Sequence, residues 1–146
     1  MAGDVGKVFV SDGDSSVELH PPQPYPGGSG FHHQVNLRAR PFQGAIDASS
    51  YASVPVLRTF HKQLVTLYNT LEGEARLPES YENLQIKMKG DGRGHIAVEV
   101  VARGENLRDY LAFDFMIVQT QLPAIIAGIE KFLVQRIGGT DGTTGS

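Results

Sequence analysis

The chain contains no cysteine. That absence excludes disulfides, thiolate metal ligands and a cysteine nucleophile, and it fits a reducing compartment. Long apolar runs are missing as well: no stretch approaches the ~18 residues that a membrane-spanning helix requires. The start, Met1-Ala2-Gly3-Asp4-Val5, has neither the basic nor the apolar segment of a signal peptide, so a cytoplasmic location is expected. Charge of one sign is also scarce. A formal net charge of −3 gives no long-range attraction to a nucleic-acid backbone, and neither a nucleic-acid nor a membrane partner is expected.

What is present is enough for one core. At 146 residues and 40% hydrophobic content, a single domain is the default. The 17 glycines and 8 prolines imply some irregular length. We expect short strands and a Pro/Gly-rich loop over 1–30, one α+β domain over 31–137 and a flexible tail over 138–146. In the first stretch, Lys7–Val10 and Val17–Leu19 flank the turn-forming Ser11-Asp12-Gly13-Asp14. The run from Pro21 to Gly30 has too many prolines and glycines for a regular element.

Beyond it, period-two alternation dominates. Phe31, His33, Val35, Leu37 and Ala39 share one face of a strand, with His32, Gln34, Asn36, Arg38 and Arg40 on the other. Pro41 interrupts the ladder, and Phe42, Gly44, Ile46 and Ala48 carry a second strand that either pairs with the first or continues it. Three further alternating strands follow: Leu84, Ile86 and Met88; then Ile96, Val98 and Val100; then Leu111, Phe113, Phe115 and Ile117. Gly90-Asp91-Gly92-Arg93-Gly94 and Gly104-Glu105-Asn106 join them as hairpins, which makes neighbours antiparallel. A short strand over Glu74–Leu77 precedes them.

Two segments switch to helical spacing. Leu57, Phe60, Leu64, Leu67 and Leu71 form one stripe, capped by Ser53, entered through Pro55 and stopped at Gly73. Leu122, Ile125, Ile126, Ile129, Phe132 and Leu133 form the other, capped by Thr120 and ended by Gly138-Gly139. Ala124, Ala127 and Gly128 leave a smooth side on this helix, open to another backbone or a second copy. No internal repeat of fixed period stands out. The expected fold is α+β: a two-layer sandwich in which an antiparallel sheet of about six strands carries both helices on one face. Its other face would be polar and open, bearing Gln34, Asn36, Arg38, Gln85, Lys87, Lys89, Glu99, Arg103 and Asp114.

Chemistry is hard to find in this pattern. The glycines at 90–94 are followed by a strand, whereas a phosphate loop needs a helix there. Adjacent His32 and His33 on a strand face opposite sides and cannot hold one metal, and the remaining histidines lack ligand spacing. Ser29 lacks the strand–turn–helix setting of a nucleophile elbow. Asp114 lies among Phe113, Phe115 and Met116, where a desolvated acid would have a raised pKa; alternation places it on the wet side. Asp114, His33 and His95 are the remaining site candidates. No cofactor or metal is expected, and the chain reads as a non-enzyme.

Three short segments point further: Leu71-Glu72-Gly73-Glu74-Ala75-Arg76-Leu77, Asp91-Gly92-Arg93-Gly94-His95-Ile96 and Gln119-Thr120-Gln121-Leu122-Pro123. Together they resemble a group of small bacterial α+β proteins, some of them immunity proteins of the WapI type, over roughly residues 31–133. In that family a helix precedes a Gly-Glu-Ala-like turn, a Gly-His hairpin follows, and a Gln-Thr-x-Leu segment opens the last helix. The resemblance implies a protein that binds and blocks a toxin, with no catalytic residues. The expected contact is the open sheet face or an edge strand, with Arg38, Arg40, Lys87, Lys89 and Arg103 meeting an acidic partner. Small-ligand binding through Asp114, His33 and His95, or self-assembly into a homo-oligomer, are the alternatives.

Overall fold

The computed structural model describes residues 7–24, 30–50, 55–77, 83–104 and 108–134. The expected cap Ser53, the tail over 138–146 and its Gly138-Gly139 stop lie outside them. Within them the order is β1 (Val8–Ser11), β2 (Ser15–Leu19), β3 (Gln23–Pro24), β4 (Phe31–Ala39), β5 (Phe42–Ser50) and α1 (Pro55–Thr70). Then follow β6 (Glu72–Arg76), β7 (Leu84–Asp91), β8 (His95–Arg103), β9 (Tyr110–Val118) and α2 (Leu122–Val134).

Among the described residues these strands make two antiparallel sheets, one of five strands and one of four. In the first, β1 pairs β2, β2 and the two-residue β3 pair β4, and β5 lies on the far edge of β4. In the second, β6 to β9 pair in chain order. This corrects the expected single sheet of about six strands with both helices on one face. Hairpin turns specify which strands are neighbours, but α1 stands between β5 and β6 and no pairing crosses it. Apart from the two-residue β3, each half of the chain is therefore a four-strand meander followed by a helix, a repeated topology with no counterpart in the sequence period.

Local chemistry explains the joints. At the β1–β2 turn the Asp12 carboxylate accepts the Asp14 and Ser15 amides at 2.9 and 2.8 Å, and Gly13 takes a φ of 101°. Those donors hold the Asp12 carboxyl below its ordinary value, the Ser15 bond first. The open question at Pro41 is settled as pairing: β4 and β5 run antiparallel from Phe31↔Ser50 to Ala39↔Phe42. Helix α1 ends at Thr70, before the expected stop at Gly73, because Leu71 enters the left-handed region at φ 64°. The freed Leu71 carbonyl accepts the Gly92 amide at 2.9 Å, which docks the β7–β8 turn on the helix end. At the other helix, Thr120 lies inside a 3-10 turn, Gln119–Gln121, instead of capping α2 directly.

The two helices pair antiparallel. His61 Nε2 meets Glu130 Oε2 at 2.9 Å near one end, and the Gln119 side chain donates to the Tyr68 carbonyl at 3.0 Å near the other. Each helix also touches the sheet built by the other half. On α1, Gln63 Oε1 accepts the Arg76 amide of β6 at 2.9 Å. On α2, Phe132 meets the His33 ring of β4 edge-on at 6.3 Å. A Cβ on Gly128 would come within 2.6 Å of Val8 Cγ2 of β1. The smooth side of α2 is thus in part filled by the chain's own first strand. Val8, Val17, Leu64, Ile86, Val98 and Ile129 belong to one continuous core that includes both sheets and both helices. Each such large apolar side chain contributes ~1.5–3 kcal/mol gross, before conformational entropy is subtracted.

Gly90 marks the tightest of these joints. A Cβ there would collide with the Leu71 carbonyl oxygen and approach Leu67 Cδ1 at 2.8 Å. The oxygen is backbone, already bonded to Gly92, and has no side-chain freedom with which to yield. Gly90→Ala should therefore lower the stability measured by urea denaturation by ~1–3 kcal/mol, the usual penalty of overpacking. An unchanged midpoint would mean that the turn and the helix end do not meet this closely.

Candidate functional site

Each sheet turns one face inward and one outward, so the polar positions divide between two surfaces. On the first sheet, cross-strand pairing lines up Phe9, Glu18, Asn36 and Ala45, with Ser11, Ser16, Arg38 and Gln43 in the adjoining row. All of these residues except Ser11 line a shallow trough of ≈ 610 Å³. On the second sheet, Arg76, Lys87, Glu99 and Asp114 form one row, and Glu74, Lys89, Ala97 and Met116 the next. Of the five cations expected on one face, Arg38 and Arg40 therefore belong to the first sheet and its turn, while Lys87, Lys89 and Arg103 belong to the second. The structure does not bring all five together.

Nor are these cations a uniform basic field. Lys87 Nζ lies 3.7 Å from Glu99, and Arg40 Nε lies 3.9 Å from Asp14. Both pairs are exposed, and such pairs contribute only ~0–1 kcal/mol, so a partner can redirect them at little expense. The Arg103 guanidinium stands over the Tyr110 ring, 5.1 Å from its centroid. Arg103 also borders a ≈ 300 Å³ notch with Gln34, Ala45, Ile46, Asp47, Asn83 and Gly104, where the edge of the first sheet meets the end of β8.

Asn83 builds that notch. Its side-chain oxygen accepts the Ser49 amide at 3.1 Å and its side-chain nitrogen donates to the Asp47 carbonyl at 3.0 Å. Its own carbonyl accepts the Arg103 amide at 2.9 Å. One asparagine thereby links the edge of β5 to β8. Nothing in its neighbourhood of the sequence signals this, because the contact spans more than thirty positions. Exposed apolar side chains were also passed over: Phe42, Tyr110, Met116 and Val118 are 65%, 63%, 52% and 43% exposed. The last three share the outward parity of Asp114 on β9, a signal that alternation does carry.

The three candidates for small-ligand chemistry lie apart. Asp114 is exposed on the outward face of the second sheet, with Glu99 as its cross-strand neighbour. The residue opposite it is thus an acid and not an Arg or Lys. His95 follows the β7–β8 turn, where its Nδ1 meets Asp91 Oδ2 at 3.2 Å and its amide bonds Asp91 Oδ1. The same carboxylate accepts the Arg93 amide, and that bond leads the contacts that hold the Asp91 carboxyl below its ordinary value. This is a self-contained turn. Among the described residues no three His, Asp or Glu side chains converge as metal ligands.

His33 sits in the core, 2% exposed, on the opposite side of its strand from His32. Its Nδ1 lies 2.8 Å from the His20 carbonyl, and the Phe31 ring meets it edge-on at 5.8 Å. Burial is the main cause that lowers its pKa from 6.5 to about 4; the His20 bond and the Asp47 charge oppose the shift, and the charges of His32 and His20 add to it. In the neutral form Nδ1–H donates to the carbonyl. The unfolded chain thus binds this proton between pH 6.5 and 4 while the folded chain does not, so stability is complete above 6.5 and falls on acidification. The loss should approach ~3 kcal/mol by pH 4. His33→Leu should be less stable at neutral pH and show a flatter profile over this window in urea titrations. Asp12 and Asp91, whose pKa values are lowered from 3.8, act below this window, and Glu18, lowered from 4.5, acts only at its acidic end. A variant with the same slope would remove His33 as the cause.

Comparison with known proteins adds what geometry does not. No curated protein matches the chain. It is similar to the crystal structure of WHY3 from Arabidopsis thaliana at a TM-score of 0.48 and 10% identity, over 87% of this chain and 85% of that chain. The Immunity protein WapI-like family matches residues 9–135, which adds the first three strands to the span that the sequence segments suggested. With most of its length so matched, the chain belongs to the WapI-like immunity protein family.

Proposed function

We propose that this protein is a non-catalytic immunity factor that binds a bacterial toxin in the cytoplasm and blocks it. The observation that carries the reading is the family match over residues 9–135. The surfaces described above agree with it in kind. Two outward sheet faces present mixed charge, loosely paired cations and exposed apolar side chains, which is the composition of a protein-contacting surface. Among the described residues no helix is long and apolar enough to cross a membrane.

Arg38, Arg40, Lys87, Lys89 and Arg103 are the proposed contacts to acidic groups of the toxin. Because Arg38, Arg40, Lys89 and Arg103 are exposed and Lys87 is half-exposed, they steer the encounter more than they hold the complex. Co-expression with its cognate toxin domain, to be sought first among the neighbouring genes, should restore growth, and the purified pair should form a complex. The double variant Lys87→Glu, Lys89→Glu should slow association by about tenfold at low salt, with the difference shrinking as salt screens the charges. A wild-type protein that neither protects cells nor binds that domain would overturn the reading. A salt-independent association rate in the double variant would remove these lysines from it.

A further inference from the structure

We propose that the first half of β5 is a docking edge for an extended segment of the partner protein, which adds to the first sheet as a further strand. The proposal rests on the toxin-binding reading above and names the contact within it. It begins with the borders of the two sheets. An unpaired strand border presents a row of N–H and C=O groups that proteins ordinarily close. Along β6, Gln63 accepts the Arg76 amide at 2.9 Å and Thr70 Oγ1 donates to the Glu72 carbonyl at 2.9 Å. Where β1 runs beside β9, Gln121 serves both, donating to the Ser11 carbonyl at 2.9 Å and accepting the Val118 amide at 3.0 Å. The earlier part of β9 carries Asp114, and a charge on an edge discourages pairing.

β5 differs. Its end is closed by the Asn83 amide, which bonds Asp47 C=O and Ser49 N–H as a neighbouring strand would. Those two bonds fix the parity of the whole strand: the odd-numbered residues turn their backbone groups away from β4. Gln43 and Ala45 therefore present N–H and C=O outward, and among the described residues no backbone or side-chain group bonds them there. The space around them is clear. A Cβ on Gly44 would meet nothing within 4 Å, Ala45 is exposed, and Phe42 is 65% exposed on the side that continues toward the core. The trough floored by Ser16, Asn36, Arg38 and Gln43 borders one face of this edge, and the Arg103 notch lies at its closed end.

The occupant follows from this geometry. An amide already seated at the end of the row identifies the chemistry that the rest accepts: peptide backbone, in extended form, for about 15 Å. Such a strand places alternate side chains against Phe42 and Ile46 on one face and toward Arg38 on the other, so apolar residues on the first and an acidic one on the second fit best.

The probe is that cognate toxin domain, purified in catalytically inactivated form. Ala45→Pro removes an outward N–H and no bond to β4, so the sheet tolerates it. It should melt like wild type yet bind the toxin domain at least tenfold more weakly by calorimetry. Should the variant fail to fold, hydrogen exchange on the wild type decides: the Gln43 and Ala45 amides should exchange freely alone and become protected in the complex. Wild-type binding with Ala45→Pro unaffected, or without that protection, overturns the docking edge and leaves the immunity reading standing. Absence of binding by wild type overturns both. Protection that appears without toxin, together with a dimer mass in light scattering, overturns it in favour of a second copy.

Discussion

The pairing of α1 with α2 is the contact on which this fold depends. Neither sheet is wide enough to dry its own inward face, and each meander ends in a helix whose stripe needs a surface to cover. The chain solves both problems by crossing: α1 reaches β6 and β7, while α2 reaches β1 and β4. The close approaches at Gly90 and Gly128 are where that crossing is tightest, since a side chain at either position would separate a helix from its sheet. Cutting the chain between α1 and β6 would therefore leave two halves, each missing the helix that covers its sheet.

Much of this was legible one strand at a time. Alternation placed Val35, Leu37, Ile86, Met88, Val98 and Ile117 on the core side, and all are buried. The helical stripes through Leu57, Phe60, Leu64 and Leu67, and through Leu122, Ile125, Ile129 and Phe132, are buried as spaced. The failures share a physical cause. Periodicity reports which side of an element is apolar, not which element it meets, so two sheets were read as one. The stop at Gly73 was misplaced because Leu71 adopts a backbone conformation that its own residue type disfavours, held there by the Gly92 amide across a turn. The interaction surface was less legible still. Five cations at outward positions are visible in the sequence, but their division between two sheets depends on long-range pairing, and so do the roles of Asn83 and Gln121.

Those two amides bear on how the molecule spends its polar groups. Asn83 and Gln121 each bond two otherwise unmatched backbone positions, one at the end of β5 and one where β1 meets β9. Side-chain amides suit this role because one head group both donates and accepts, like a peptide unit. His33 belongs to the same accounting from the inside: buried beside two aromatic rings, it supplies a donor to the His20 carbonyl, which the two-residue gap before β3 would otherwise leave turned toward the core. Its depressed pKa is the consequence of that burial.

The duplicated topology sharpens the contrast between the two terminal strands. β5 and β9 occupy equivalent places, each the last strand of a meander and each closed at its C-terminal end by a side-chain amide. Their open portions differ in charge. On β9 the middle carries Asp114 facing Glu99, two like charges that repel an incoming acidic strand and leave its backbone hydrated. On β5 the corresponding stretch is Gln43-Gly44-Ala45, small or neutral, with Arg38 opposite Gln43. If edges were merely left over from folding, guarding one with paired carboxylates and clearing the other of bulk would have no physical reason. A difference of this kind between equivalent positions is what selective recognition at a single edge requires.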